Sequence, residues 1–466
     1  MARKIHFVSL GCAKNRVDTE IMLGVGEGAG YTFEPDAEAA DVIVVNTCGF
    51  IGEAKQESVD TILEMAELRA SGSCQTLVVS GCLSQRYAAE LAVEMPEVDH
   101  FLGSSDMLRL KTVLEGGAER MLVHDPAYYT QRASDPRVLS QSHHSAYVKI
   151  AEGCNRTCSF CAIPGIRGKQ RSRSVEDIAT EVRRLVDLGV VEVNLVSQDT
   201  VSYGRDLAER PDLAQLVARL ADLDGLRWLR LHYLYPERLT EPLLELLADH
   251  PVVLPYVDMP LQHASDALLT RMRRGHGGSR LRNVVTRLRE RLNDMVFRST
   301  FIVGHPGETD ADFEELLEFL RWSEFDHVGV FAYSHEEGTA SFDQDALVPE
   351  ELIAERRERA MELQRPISRA KLEARVGEEL EVLVSGVSDE SSLLLEGRFF
   401  GQAPEVDGRV FLANGVAQPG ELRRALVTQA GDYDLVADLL DDDGRRDAPP
   451  GSPDPARRVK LPMFDE

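Results

Sequence analysis

Residues 154–161 carry three cysteines in the order Cys154-x-x-x-Cys158-x-x-Cys161, directly after the strand-like run Tyr147-Val148-Lys149-Ile150. Three thiolates can hold three irons of a cubic iron–sulfur cluster and leave the fourth iron without a protein ligand. A ferredoxin closes such a site with a fourth cysteine, whereas an open position is what separates catalytic from structural metal sites. A structural zinc site usually takes four ligands in two pairs, and no Cys-x-x-Cys or His-x-x-x-His pair follows Cys161. Chance clustering of buried free thiols is the third reading. The spacing favours the cluster over both.

A chain of 466 residues should divide into about three domains at roughly 150 residues each, and its 43% hydrophobic content suffices for packed cores. No apolar run approaches the ~20 residues that span a membrane. The first strand-like segment, Ile5–Leu10, is not preceded by a signal-peptide hydrophobic region, so a cytoplasmic location is expected. Seven cysteines in a reducing compartment argue for metal or redox chemistry over disulfides. The formal charge of −26 repels phosphate backbones and attracts basic partners, although excess carboxylate also serves solubility or a high-salt cytoplasm.

Residues 1 to about 135 alternate strands (Ile5–Leu10, Val42–Asn46, Thr76–Ser80) with helical stretches such as Thr61–Leu68, a pattern that predicts an open parallel α/β sheet. Cys12, Cys48 and Cys82 each fall just past a predicted strand. Ligands bind at that carboxyl edge of an open parallel sheet, so the three are expected to converge on a second, likewise three-ligand cluster. Cys74 precedes its strand in a Gly/Ser turn and is the odd one out.

From about 140 to 370 the predicted strands are Tyr147–Ile150, Val191–Val196, Trp228–Leu234, Leu254–Met259, Val296–Val303 and Val328–Tyr333. A helix over Val175–Leu188, with Ser174 as N-cap and Gly189 as stop, separates the first two. Six such units predict a partial parallel (βα)6 barrel with its site at the strands' carboxyl ends. Polar groups gather there: Ser197-Gln198-Asp199, His232-Tyr233, Gln262-His263 and Gly304-His305. Singly, each is more readily a satisfied structural group than a ligand; together they mark the barrel mouth. Residues 371–440 change to short β-type runs: Glu379–Ser385, Ser392–Glu396, Val410–Ala413, Arg423–Thr428 and Asp434–Val436. Turns carrying Gly386, Gly397, Gly408 and Gly415 separate them, which predicts a small five-stranded antiparallel barrel. Residues 441–466, with five prolines, read as a disordered tail.

The Cys154–Cys161 motif, with Phe160 before its last cysteine, resembles that of radical S-adenosylmethionine (SAM) enzymes, whose open iron is chelated by the amino and carboxylate groups of SAM. The whole pattern, tail excepted, resembles the methylthiotransferases, a radical SAM family with an N-terminal cluster domain and a C-terminal TRAM domain. Its best-known branches modify a transfer-RNA adenosine or an aspartate of a ribosomal protein. The string Ser9-Leu10-Gly11-Cys12-Ala13-Lys14-Asn15-Arg16-Val17-Asp18-Thr19-Glu20 resembles the second branch, where the first usually opens Gly-Cys-Gln-Met-Asn; Ala13 stands where proline is frequent. Ser197-Gln198-Asp199-Thr200 with Tyr203-Gly204 resembles that branch too, against Gly-Gln-Asn-Val-Asn in the other. Ala403-Pro404-Glu405-Val406-Asp407-Gly408 matches a string of the wider family. Charge agrees: residues 371–440 hold six basic and thirteen acidic residues, net −7, whereas an RNA-binding barrel should be basic.

The resemblance implies two [4Fe-4S] clusters, one on Cys12, Cys48 and Cys82 and one on Cys154, Cys158 and Cys161. At the second, SAM would be cleaved to a radical that takes hydrogen from the aspartate β-carbon; at the first, sulfur methylated by another SAM would be supplied. An unactivated C–H calls for a radical because no side chain is a strong enough base near neutral pH. Phe160, Gln198, Asp199 and Arg171 are the cofactor-binding candidates. Arg171 lies in the loop Arg167–Arg173, which would neutralise SAM or substrate carboxylates if it is more than a solvated basic loop. The implied partners are small-subunit ribosomal protein twelve and an electron donor such as flavodoxin or ferredoxin, with no transfer RNA and no membrane. The rivals are a transfer-RNA adenosine methylthiotransferase and a non-catalytic iron–sulfur carrier or scaffold.

Overall fold

Val42-Ile43-Val44-Val45 has no polar face and is wholly buried, which only a strand covered on both sides can accommodate. The computed structural model, which describes residues 3–140, 142–441 and 443–445, places this segment inside an N-terminal sheet of six parallel strands. Their spatial order is Thr32–Phe33, Lys4–Ser9, Val42–Thr47, Thr76–Gly81, His100–Leu102 and Met121–Leu122. Three of these were legible as strands; the other three are two or three residues long, too short to carry a period-2 signal. Residues 446–466, most of the segment read as a disordered tail, lie outside the described residues.

The central region holds six parallel strands in sequence order, in two sets of three. Ser145–Lys149, Glu192–Val196 and Trp228–Leu231 form one set; Tyr256–Asp258, Val296–Val303 and His327–Ala332 form the other. The seam is carried by one bridge, Leu229 to Val253, and by the Leu234 amide donating to the Asp258 carbonyl. The expected strand Leu254–Met259 shortens to Tyr256–Asp258 because Pro255 and Pro260 flank it and a proline gives no ladder donor. Ser174 caps the helix Val175–Asp187 by accepting from the Asp177 amide. Val148, Val193, Leu195, Leu229, Leu231 and Val257 share an apolar core with the surrounding helices. The alternate positions Tyr147, Glu192, Arg230, His232, Tyr256, Asp258 and Arg298 hydrogen-bond one another or the C-terminal chain.

The helix Glu350–Glu373 packs on the last barrel strand and leads into the C-terminal barrel, so the boundary read at 370/371 falls inside a helix. The C-terminal barrel closes in the order Glu379–Ser388, Ser391–Phe399, Val410–Ala413, Leu435–Leu439, Leu422–Ala430. Two expectations need correcting. The pairing of Val410–Ala413 with Leu435–Leu439 is parallel, since the chain crosses the barrel between them by way of Leu422–Ala430. Gly386 and Gly397 lie within strands, the former at a register shift, where a glycine inside a strand often marks a bulge or a close backbone approach.

The loop after Phe399 enters the central barrel from the end where its strands begin. Arg230 donates to the carbonyls of Phe400 (2.7 Å) and Gln402 (3.2 Å), Tyr147 to Pro404 (2.9 Å), and Tyr256 to Asp407 (2.6 Å). Trp228, Leu254, Tyr256 and Val296 of the central barrel pack into the C-terminal barrel's apolar core. At the centre, Glu192 is fully buried and pairs with Arg230 (3.2 Å) and Arg398 (2.5 Å). Burial alone would raise its carboxyl, but Arg398 and Arg230 outweigh that and hold it at about 2.

Removing one partner of a buried pair strands the other charges. Glu192→Gln should therefore cost about 3–5 kcal/mol in urea unfolding at neutral pH. A group whose folded pKa is depressed stabilises above its unfolded value, near 4.3 for a glutamate. The gap between parent and variant should hold steady down to about pH 4.3 and close as the pH falls toward 2. A variant as stable as the parent would show that the two barrels are not joined through this carboxylate.

Candidate functional site

Three parallel strands in register end side by side, with Ser9 opposite Asn46, Asn46 opposite Ser80 and Thr47 opposite Gly81. The chain leaves each with a cysteine nearby, Cys12 and Cys82 at helix N-termini and Cys48 in the loop before Gly52–Ser71. Close approach is bought with glycine. A Cβ on Gly11 would lie 2.9 Å from Cys48 Cβ, and one on Gly49 would lie 2.7 Å from the Leu83 backbone beside Cys82. Asn15 ties the three turns together: its Nδ2 donates to the carbonyls of Leu10 (3.0 Å) and Thr47 (2.9 Å), and its Oδ1 lies 3.6 Å from Cys82 Sγ.

The thiols feel one another. Burial and then the Cys82 and Cys12 charges push Cys48 up to about 12. Cys82 is likewise raised, by burial foremost, against the pull of Arg167. Cys12 stands at the open rim; the desolvation of its thiol is outweighed by Lys14 and Arg167, so it is lowered. Three such thiolates are stable together only around a cation, and two sit at helix N-termini, where the dipole favours negative charge. The donor set therefore fits an iron–sulfur cluster.

The second triad lies on a loop closed by a short antiparallel pair, Ala151–Glu152 with Arg171–Ser172. The Cys154 amide donates to the Gly168 carbonyl (3.0 Å), and Ser159 is held on three sides: its amide by Met272 O (3.0 Å), its hydroxyl by Arg271 O (2.8 Å), its carbonyl by the Ser341 amide (2.7 Å). Cys158 Sγ accepts from Arg274 (3.3 Å). Arg274 and Arg156 both lie over the Tyr235 ring, 4.2 and 3.6 Å from its centroid. Burial foremost raises Cys154 to about 11 and Cys161 to about 12. Among the described residues no three such side chains close on one ion position, which a tetrahedral zinc would require with sulfurs about 3.8 Å apart.

The two triads flank one short helix, Ile163–Arg167. Cys82 packs against its Ala162 and Ile166, and Arg167, 2% exposed, reaches from its end to Cys82 Sγ (3.3 Å), Asn15 Oδ1 (2.5 Å), Asp18 (3.1 Å) and Glu152 (3.1 Å). Lys149 completes the cluster, 2.5 Å from Asp18 and 3.0 Å from Glu152. Burial would raise the Glu152 carboxyl, but Arg167 and Lys149 hold it well below the usual range.

The remaining sequence candidates fall into place unevenly. Asp199 pairs with Arg156 (2.6 Å) next to the second triad, and Gln198 donates to Glu152 (3.1 Å) between the triads with a buried free Oε1. Phe160 is half-buried on the cysteine loop. Arg171 is spent on structure, donating to Thr130 and to the carbonyls of Arg167, Lys169 and Pro126. The stretch Arg167–Arg173 is no solvated basic loop: Arg167 and Arg173 are buried, the latter on Asp177 and Glu181. At the barrel mouth, His232 Nδ1 bonds Asp258, His263 Nδ1 accepts from the Ser265 amide, and His305 Nε2 bonds Ser341, while the Nε2 atoms of His232 and His263 are buried without a hydrogen-bond partner among the described residues. Sequence reasoning passed over Asn15, Asp18, Lys149 and Glu152. The available signals were a lysine inside an apolar strand and a glycine beside each of Cys12, Cys48 and Cys82.

Cys74 points into the apolar core of the first domain with Ala40, Ile43 and Leu77, its thiol donating to Thr76 O at 3.4 Å. Cys74→Ser should therefore keep the iron content of anaerobically reconstituted protein unchanged, whereas Cys82→Ser should lower it. Equal losses would mean that Cys74 is a ligand.

Three family signatures match: Uncharacterized protein family UPF0004 over residues 4–103, Radical SAM superfamily over 148–320 and TRAM domain over 376–440. Over 448 residues the chain is 62% identical to the ribosomal protein uS12 methylthiotransferase RimO of Sorangium cellulosum, spanning 95% of this chain and 92% of that one. It is 50% identical over 440 residues to the protein of the same name from Myxococcus xanthus, at 94% and 92% coverage. Among solved structures, the radical SAM methyltransferase TsrM of Kitasatospora setae superposes with a TM-score of 0.55 at 14% identity, over 80% of this chain and 90% of that one, a likeness of fold alone. With that identity over nearly its whole length, the chain belongs to the RimO methylthiotransferase family.

Proposed function

We propose that this chain is a radical SAM methylthiotransferase that adds a methylthio group to the β-carbon of an aspartate of ribosomal protein uS12. The observation that carries the reading is the placement of two cysteine triads on either side of the helix Ile163–Arg167. A plain electron carrier has no need of two open sites held in fixed relation at a barrel mouth. We assign residues 1–135 to the first cluster, 140–370 to SAM and its cleavage, and 371–440 to a TRAM domain. Cys12, Cys48 and Cys82 would hold one [4Fe-4S] cluster, and Cys154, Cys158 and Cys161 the other.

Two such groups supply one-electron cleavage of SAM at one triad and the transferable sulfur at the other. The chain's own residues do the positioning. Arg167, Asp18, Lys149 and Glu152 lock the two triads into one frame, which is what a reaction between a short-lived carbon radical and a fixed sulfur requires. Arg156 and Arg274 on Tyr235 present positive charge beside Cys158, suited to a cofactor that brings a carboxylate. Asp199 fixes Arg156 there.

The charge of the C-terminal barrel favours a protein substrate over transfer RNA. Each basic residue of 371–440 already faces a carboxylate: Lys371 Glu324, Arg375 Asp294, Arg398 Glu192, Arg409 Glu396, Arg423 Glu421 and Arg424 Glu379. Phosphate contacts would have to displace those partners. Asp389 and Glu390 stand exposed at a hairpin tip and suit a basic ribosomal protein. No helix among the described residues is long and apolar enough to cross a membrane. A cytoplasmic site of action and an electron donor of the flavodoxin or ferredoxin kind complete the proposal.

Anaerobically reconstituted protein should bind about eight irons; losing Cys12, Cys48 and Cys82 together should leave about four and spare SAM cleavage. Full iron retention in that triple variant would show that the first triad binds no cluster.

Mass spectrometry of ribosomal proteins from cells with and without this gene should show methylthiolation of one uS12 aspartate only in its presence. Binding to uS12 should weaken with salt, as the Debye length shortens from about 10 Å at 0.1 M to about 3 Å at 1 M, and with Asp389→Lys plus Glu390→Lys. Modification of a transfer-RNA adenosine with the ribosomal aspartate untouched would overturn the substrate assignment.

A further inference from the structure

Three cations and two carboxylates are buried where the N-terminal domain meets the barrel mouth. Arg167 and Lys149 share Asp18 and Glu152. Lys14 is left over. It is 7% exposed, yet among the described residues its Nζ reaches only the Ser197 carbonyl, at a long 3.4 Å, and the Tyr233 ring, 4.0 Å from the centroid. Lysine is almost never buried unless paired, and an ammonium carries three donors and no acceptor. Two of those donors have no oxygen to meet.

The surroundings say what would meet them. Lys14 sits in the first turn of the helix Ala13–Gly28, two residues from Cys12, which is exposed. Ser197 and Tyr233 follow the second and third barrel strands at their carboxyl ends. The ammonium therefore lies between the sulfur-supplying triad and the barrel mouth, beside the open side of the first. Tyr233 is held at a φ of +56°, in the left-handed region, with its ring under Lys14. Lys14 also helps lower the Cys12 thiol, as Arg167 does, but no cysteine sulfur accepts a hydrogen bond from its Nζ among the described residues.

We propose that Lys14 binds the side-chain carboxylate of the substrate aspartate, with Tyr233 as the positioning residue beneath it. The inference rests on the methylthiotransferase reading and names the group that grips its substrate. The carboxylate carbon is bonded directly to the β-carbon that reacts. Anchoring the carboxylate on a rigid helix two residues from Cys12 thus fixes the reacting carbon near the transferable sulfur. It also disfavours an asparagine, whose neutral amide offers the ammonium one acceptor oxygen where a carboxylate offers two and a full negative charge.

The test uses reconstituted holoenzyme with SAM and two synthetic uS12 peptides, one with the modified aspartate and one with asparagine in its place. Fluorescence anisotropy should show the parent preferring the aspartate peptide by about 10- to 100-fold, the range of a hydrogen bond to a charged group. Lys14→Met should bind the two equally, while Lys14→Arg keeps most of the preference. Substrate-free SAM cleavage, which belongs to the other triad, should match the parent in both, and binding is compared at equal iron content. If Lys14→Met loses iron, Lys14→Gln replaces it in the same comparison. A parent that does not distinguish the peptides, or a neutral variant that still prefers aspartate by the parent's factor, overturns the proposal. Failure of the methylthiotransferase reading would look different: the parent would leave intact uS12 unmodified in mass spectrometry, whatever the peptides do.

Discussion

One guanidinium holds the two halves of this site in register. Arg167 comes six residues after Cys161 and bonds across the domain junction to Cys82, Asn15 and Asp18, and back to Glu152. A buried arginine without partners would be ruinous, so its position fixes Asp18 and Glu152, and Lys149 follows because two carboxylates need a second cation. Arginine suits the task because its planar fork serves several acceptors at once in fixed directions and never loses its charge. The apolar packing of Cys82 on Ala162 and Ile166 then has a defined register, and the relation between the triads is set before any ligand arrives.

The local parts of this arrangement were legible in the sequence. Strand ends followed by cysteines, six strand–helix units and a switch to short β-runs all declare themselves through periodicity and turn residues. What stayed hidden depends on partners far along the chain. Arg167 and Asp18 are 149 positions apart, and nothing near Arg167 marks it as buried; a run of basic residues between a cysteine loop and a helix has the composition of a solvated turn. The parallel pairing of Val410–Ala413 with Leu435–Leu439 was hidden for a related reason, since alternation reveals that a strand exists and not which way its neighbour runs. Ala403–Gly408 was visible as a string, but its insertion into the central barrel depends on Tyr147, Arg230 and Tyr256, each in a different strand.

The histidines at the barrel mouth show the limit of reading function from position. His232, His263 and His305 stand where ligands bind in a parallel barrel, and each is anchored through one ring nitrogen by a neighbouring protein group. Through those bonds they hold strand ends, and His305 also holds, through the Ser341 hydroxyl, the hydroxyl of Ser159. The unsatisfied groups are the informative ones. Gln198 Oε1, Lys14 Nζ and the Nε2 atoms of His232 and His263 retain capacity at the same mouth, and capacity is what a binding site offers.

The loop that reaches from the C-terminal barrel into the central one makes the chain less modular than its sequence suggests. Phe400, Gln402, Pro404 and Asp407 supply the floor of the catalytic barrel. A truncated chain would therefore expose Arg230, Tyr256 and Glu192 to water and report on folding as much as on docking. The same holds over evolutionary time: a lineage that exchanges this domain to recruit a different substrate must carry the floor across with it. The C-terminal domain and the floor of the central barrel are inherited as one cassette.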